Sequence, residues 1–353
     1  MSKMMEEIRE QPAALERTLR LGLKPAAKLA RAVAQKRPKL IVLAARGTSD
    51  NAAQFGRYLL EITTGIPVSL AAPSLFTLYD ARLELKNALI VAISQSGEST
   101  DTNLVLERGR EQGALTVGIT NEPSSSLAKL AEHVFLVRAR RERSVAATKT
   151  YTGQLMLFYL LAHALGASFS LDDLRRVPDW AASALELETQ IAARAERYRF
   201  MERAIVVGRG LNYANAFEFA LKMMETCYVV AERFSSADFL HGPIAMVEGS
   251  FPMFLFTPPG VTWDGMRDML ERLAALKAET LIFTDASNGA AVEAHSRAVV
   301  IPSSLSRRGM RPAELYTPIP YIIPAQIFAA SLAEWKGIDP DRPRTLSKVT
   351  RTL

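Results

Sequence analysis

Apolar residues follow two rhythms along this chain, and the rhythms alternate. Between Glu6 and about Lys36, Ile8, Leu15, Leu19 and Leu23 fall at spacings that put them on one face of a helix. A short solid apolar run, Leu40-Ile41-Val42-Leu43-Ala44, then reads as a buried strand. It runs into Arg46-Gly47-Thr48-Ser49, after which helical spacing resumes through Phe55, Tyr58, Leu59 and Ile62. A second run, Ala88-Leu89-Ile90-Val91-Ala92-Ile93, ends at Ser94-Gln95-Ser96-Gly97-Glu98-Ser99, and a helix pattern follows through Leu104 and Leu106. Further strands are predicted at Leu115–Thr120 and Val134–Val137, and a long helix from Thr148 to Leu165 closes the set. Strands alternating with helices predict an α/β fold with a doubly wound parallel sheet.

After a turn at residues 166–170 and a helical stretch from Leu171 to Met201, the pattern restarts at Ala204-Ile205-Val206-Val207-Gly208-Arg209-Gly210. Arg209-Gly210 repeats Arg46-Gly47 at an offset of 209 − 46 = 163. The same offset sets Ser74-Leu75-Phe76 against Ala237-Asp238-Phe239, and Ile93-Ser94 against Phe256-Thr257. One constant offset at three places predicts two tandem copies of one α/β unit with flanking helices. The expected organisation is an N-terminal helical segment (1–36), a first domain (37–170), a helical connector (171–200), and a second domain with a C-terminal tail (201–353). The copies differ after the second apolar run, where Ser94-Gln95-Ser96-Gly97 becomes Thr257-Pro258-Pro259-Gly260. Proline lacks the N–H that an anion site uses, so one phosphate site per chain is expected, in the first copy.

Composition narrows the class. At 353 residues with 48% hydrophobic content there is material for two cores. The net charge of +6 is spread out, with short runs such as Arg138-Ala139-Arg140-Arg141, rather than gathered on one stripe as nucleic-acid binding would need. It suits small anionic substrates or a solvated surface. Cys227 is the only cysteine, so no intrachain disulfide can form, and a reducing compartment is the natural reading. The first residues carry no apolar signal region, and no apolar run approaches the roughly 20 residues of a membrane span. A soluble cytoplasmic protein with no nucleic-acid or membrane partner is expected.

The serine loop carries the clearest chemistry. It opens a helix at the C-terminal end of a strand, where open α/β sheets bind ligands. Hydroxyls of Ser94, Ser96 and Ser99 can join backbone N–H groups there, and the helix dipole favours an anion. Thr48 and Ser49 stand in the equivalent place after the preceding strand. Helix capping needs one hydroxyl, not three in six residues with a glycine among them. No G-x-G-x-x-G occurs in the first copy and no G-x-x-x-x-G-K-[ST] anywhere, so a phosphorylated metabolite fits better than a nucleotide.

Four other residues carry candidate chemistry beside a plainer reading. Lys222 and Glu225, three apart on a helix, form either a surface ion pair or, given Leu221, Met223, Met224 and Cys227 around them, a half-buried pair able to move protons. His241, in Phe239-Leu240-His241-Gly242-Pro243, reads as structural, and Lys348, near a chain end, as a solvated charge. His133, His163 and His295 have no motif around them, and no metal site or cofactor is indicated.

Together these segments resemble the SIS (sugar isomerase) family. The likeness is greatest to the isomerase half of glucosamine-6-phosphate synthase and to type II glucosamine-6-phosphate deaminases. It runs from Glu7-Ile8-Arg9-Glu10-Gln11-Pro12 to Asp341-Arg342-Pro343-Arg344-Thr345-Leu346-Ser347-Lys348 and includes Val145-Ala146-Ala147-Thr148-Lys149. The resemblance implies that Gly47, Thr48, Ser49, Ser94, Gln95, Ser96 and Ser99 bind the phosphate and neighbouring hydroxyls. Val145 would line the sugar pocket, and Ser347 would contribute beside Lys348. Glu225 would move a proton between C1 and C2 of the open-chain sugar, Lys222 would support the site's charge, and Lys348 could form an imine with the ketose carbonyl. His241 would assist ring opening in a neighbouring subunit, which implies a homodimer.

Because Ser2 follows Met1, no counterpart of the synthase's glutaminase domain, with its N-terminal cysteine nucleophile, is expected. The expected reaction is therefore deamination of glucosamine 6-phosphate to fructose 6-phosphate and ammonia, with no cofactor. The alternatives are a fructosamine-6-phosphate deglycase, an isomerase half of glutamine–fructose-6-phosphate aminotransferase working without its own glutaminase, and a non-catalytic phosphosugar sensor.

Overall fold

Solid apolar runs became strands because both of their faces are covered. The computed structural model describes residues 2–306, 310, 312–346 and 348. Its first sheet holds β1 (Leu40–Ala44), β2 (Val68–Leu70), β3 (Ala88–Ile93), β4 (Leu115–Thr120) and β5 (His133–Leu136). Their order is β2-β1-β3-β4-β5, all parallel. Every residue of β3 and β4 is buried, as expected of central strands sandwiched between helices. Ile90, Val105, Leu106 and Leu127 belong to the core on one side of this sheet.

The second sheet holds β6 (Arg203–Gly208), β7 (Val230–Ser235), β8 (Pro252–Phe256), β9 (Glu279–Asp285) and β10 (Val299–Ile301). Its order, β10-β9-β8-β6-β7, is the same winding read from the other edge. Its core includes Val207, Phe239, Leu255, Met266 and Leu273. The fold is α/β, two tandem doubly wound parallel sheets with flanking helices. The 163-residue offset carries β1 onto β6 and the helix Thr100–Glu111 onto Trp263–Ala275, residue for residue at their starts. It slips by three residues at β5 and β10.

Two compact units result. The first contains β1–β5 within Ala13–Glu142, with Lys149–Arg175 and residues 346–353; the second contains β6–β10 within Arg176–Thr345, with Met1–Pro12 and Arg143–Thr148. In each unit the chain changes winding direction between the first and third strands, so a crevice opens at the C-terminal ends of β1 and β3 and again at β6 and β8.

Two local outcomes differ from the sequence pattern. The continuous helix read from Glu6 to Lys36 is two helices, Lys3–Arg9 and Gln11–Lys36. Pro12 has no N–H to give to Ile8, and the side-chain amide of Gln11 donates to the Ile8 carbonyl instead, at 3.1 Å. The edge strand β2 left no readable signal, because three residues with one buried position are too few for a rhythm. Among the described residues no helix is long and apolar enough to cross a membrane. Cys227 is free and buried, and burial pushes its thiol up to about 11.

Candidate active site

The serine loop is folded by its own polar groups. Ser94 Oγ accepts the Gly97 N–H at 3.1 Å, and Ser96 Oγ accepts the Glu98 N–H at 3.3 Å. A hydroxyl used as an acceptor keeps its proton to donate, which is what a phosphate oxygen needs. The carbonyl of Gln95 accepts from Asn121 N at 3.1 Å and Thr120 Oγ1 at 3.2 Å, and that of Gly97 from Asn103 Nδ2 at 3.2 Å. Gly97 cannot be another residue without cost: its φ is +70°, and a Cβ would fall 2.2 Å from Ser125 Oγ.

Ser99 stands at the N-cap of Thr100–Glu111 but its side chain makes no capping bond; it meets Thr102 Oγ1 at 2.9 Å. The helix N-terminus is thus left uncapped by that hydroxyl, against the plain capping reading.

At the end of β1, Gly47 turns with φ +56° into the helix Thr48–Thr64. Thr48 is half-buried at its first position, and the buried Ser49 hydroxyl accepts from Gln154 Nε2 at 3.0 Å. Arg46 Nη2 reaches Asp101 Oδ2 at 2.7 Å, which ties this turn to the helix behind the serine loop. Lys348 is in the same unit. It is not a solvated end charge: its Nζ lies 2.8 Å from Glu142 Oε2, and the buried Glu142 carboxylate also accepts from Thr150 N and Oγ1 at 3.1 and 2.7 Å. Ser347 lies outside the described residues.

The second unit holds the ionisable cluster. On the helix Tyr213–Cys227, Lys222 Nζ sits 2.6 Å from Glu225 Oε2 and 3.4 Å from Glu218 Oε1. Side chains of Lys222 and Glu218 are 1% and 0% exposed, whereas Glu225 keeps 23%. The surface-pair reading of Lys222 therefore fails, and Glu225 is the one member of the trio open to a ligand. Desolvating such charges costs several kcal/mol each, roughly offset by their attraction only when pairing is close. Val145 is half-buried in a segment held by Glu7, whose carboxylate accepts from the backbone N–H groups of Arg143 and Ser144. His241 is exposed where the helix Ser236–Leu240 ends.

So the structure gathers Gly47, Thr48, Ser49, the serine loop and Lys348 in one unit, and Val145, Lys222, Glu225 and His241 in the other. Glu142 and Glu218 went unread in the sequence. Glu218 could have been found, four residues before Lys222; Glu142 pairs with a lysine 206 residues away, which no local pattern shows.

A doubly wound parallel sheet with a hydroxyl-lined turn at its switch point makes this an α/β protein with a candidate ligand site at the C-terminal ends of its strands. The SIS domain pattern matches residues 36–164 and 199–314, and the chain belongs to that family of sugar isomerases. The glutamine–fructose-6-phosphate aminotransferase of Pyrococcus horikoshii is 34% identical over 98% of this chain, and that of Methanothermobacter thermautotrophicus 32% over 98%. The chain spans 57% and 56% of the length of these two relatives. Among solved structures, the C-terminal domain of glucosamine-fructose-6-phosphate aminotransferase from Francisella tularensis superposes with a TM-score of 0.85 at 28% identity, covering 97% of this chain and 98% of that one. A Silicibacter pomeroyi protein described as a phosphosugar isomerase is 32% identical with a TM-score of 0.78, over 97% of this chain and all of that one.

Proposed function

We propose that the chain catalyses the aldose–ketose isomerisation of an amino-sugar 6-phosphate, in the sense of the isomerase half of glutamine–fructose-6-phosphate aminotransferase. The observation that carries this is the likeness to such aminotransferases through 98% of the chain. The expectation from the sequence put deamination first; the relatives favour the synthetic sense, and the central proton transfer is the same in both.

In the proposed mechanism the sugar phosphate is held by the loop Ser94–Ser99 with Gly47, Thr48 and Ser49, and His241 assists ring opening across a homodimer. Ammonia adds to the C2 carbonyl of fructose 6-phosphate and water leaves, giving a C2 imine. Glu225 removes a proton from C1 and a proton is delivered to C2, which yields glucosamine 6-phosphate. Lys222 holds the Glu225 carboxylate in place through their 2.6 Å contact. On the ketose route Lys348 forms the first imine with the C2 carbonyl, releasing that water, and ammonia then displaces the lysine amine to give the C2 imine. Running backward, the same steps release ammonia from glucosamine 6-phosphate.

The test is to incubate purified protein with fructose 6-phosphate and ammonium, and separately with glucosamine 6-phosphate, following product and ammonia. Turnover in either direction that falls by about 10²–10⁴ in Glu225→Gln supports the reading. Cleavage of a fructosamine 6-phosphate bearing an amino acid, without either of these reactions, would replace it with a deglycase. Stabilisation by phosphosugar with no turnover of any substrate would leave a sensor.

A further inference from the structure

The second unit keeps the turn that opens a helix after its third strand, but fills it differently. Gly260 follows Gly97 by 260 − 97 = 163 residues, and Thr262 follows Ser99 by 262 − 99 = 163. Both glycines have positive φ, +70° and +109°, and both helices begin three residues on, at Thr100 and Trp263. A Cβ on Gly97 would strike Ser125; one on Gly260 would fall 2.3 Å from Glu314 Oε2 and 3.3 Å from Glu314 Cδ. The Glu314 carboxyl therefore lies directly against the turn.

Glu314 is only 3% exposed. The backbone N–H groups of Val261 and of Glu314 itself act on its carboxyl, while Oε2 is buried without a hydrogen-bond partner among the described residues. Burial pushes this carboxyl up, and the two N–H groups pull it back. The Thr262 hydroxyl, at the position of Ser99, is also buried without a partner, and no side chain caps the 13-residue helix Trp263–Ala275.

A buried carboxylate served, among the described residues, by backbone N–H groups and by no cation is an expensive way to fill space, because an apolar side chain of similar volume would avoid the desolvation. A carboxylate does fit here, because the Val261 N–H beyond the two prolines and the dipole of the following helix favour an oxyanion. We infer that the second turn is an oxyanion site which the chain occupies from within. The Glu314 carboxylate stands where a small external carboxylate would bind, and the site accepts such a ligand once that side chain is gone. This site is separate from the sugar-phosphate loop, and its existence does not depend on the proposed reaction.

Glu314→Ala removes a fragment equivalent to acetate, so acetate is the probe. Trp180, Trp263 and Trp335 are the only tryptophans of the chain and all lie in the second unit, so their fluorescence reports on this unit during thermal unfolding. Glu314→Ala is expected to unfold earlier than the parent. Sodium acetate at about ten times its Kd should raise its midpoint by about 3 °C over sodium chloride at equal ionic strength. The parent and the isosteric Glu314→Gln, whose turn is still filled, should not respond. If Glu314→Ala does not fold in chloride, recovery of folded fluorescence on refolding in acetate gives the same answer. An acetate response absent from Glu314→Ala under both conditions, or equal in all three proteins, overturns the inference.

Discussion

The two units share a backbone and assign opposite tasks to matching positions. On the helix after the first strand, the offset of 163 sets Glu218, Lys222 and Glu225 against Phe55, Leu59 and Ile62. Phe55 and Leu59 are wholly buried, as are Glu218 and Lys222, and the third position is open to solvent in both. The fold therefore accepts a plain apolar pair at the two places where the second unit buries charge. At the turn after the third strand the asymmetry reverses, with hydroxyls in the first unit and prolines closed by Glu314 in the second. Hydroxyls stand in one copy and buried charge in the other, while strand order is the same in both.

The largest test of this comparison is to make the second unit resemble the first. Lys222→Met takes the lysine partner from the buried Glu218 carboxylate and is expected to cost about 3–5 kcal/mol in denaturant unfolding followed by tryptophan fluorescence. Adding Glu218→Leu removes the buried negative charge and should recover most of the loss, since a well-packed apolar pair often matches a buried ionic one. The doubly substituted protein should still lack turnover. Should the double variant stay as unstable as the single one, the cluster is needed by the fold and the comparison breaks.

A smaller effect separates the two glycines. Gly97→Ala places a Cβ against Ser125 at a backbone angle that favours glycine, with an expected cost of about 1–3 kcal/mol. It should also abolish the thermal stabilisation that glucosamine 6-phosphate gives the parent protein. Gly260→Ala meets a side-chain carboxylate instead and should cost a similar or smaller amount of stability, yet leave phosphosugar stabilisation intact. Equal loss of ligand response in both variants would deny that only the first turn holds the substrate.

How much of this the sequence disclosed depends on the range over which each signal acts. β1 and β3 were readable to the residue because burial on both faces demands an unbroken apolar run, and β4 from the β-branched residues Thr116, Val117, Ile119 and Thr120 that suit a strand. The serine loop was readable because its residues are contiguous. Lys222 with Glu225 was visible as a spacing, but its burial was not, since exposure is set by what packs on the helix. The Glu142–Lys348 pair and the Glu314–Gly260 approach join residues far apart in the chain, and only folded coordinates disclose them.

The smallest expected effect concerns acid. In β9, Glu279 takes a two-pronged contact from Arg197, Nε to Oε1 and Nη2 to Oε2 at 3.0 Å each, and a further bond from Arg297. Burial pushes its carboxyl up, but the bonds to Arg197 and Arg297 outweigh this and hold it at about 2. The corresponding residue of the first unit, 279 − 163 = 116, is the uncharged Thr116. A carboxylate whose folded pKa lies below its unfolded value of about 4.3 lends stability that is present above that value. That stability fades as pH falls from about 4.3 toward 2. The second unit should therefore lose thermal stability over this window, seen as a falling midpoint of tryptophan fluorescence. Glu279→Gln should cost about 1 kcal/mol at neutral pH, the pairs being partly in water, and should flatten the acid slope. An unchanged slope in Glu279→Gln would assign the acid sensitivity of this unit to other carboxylates.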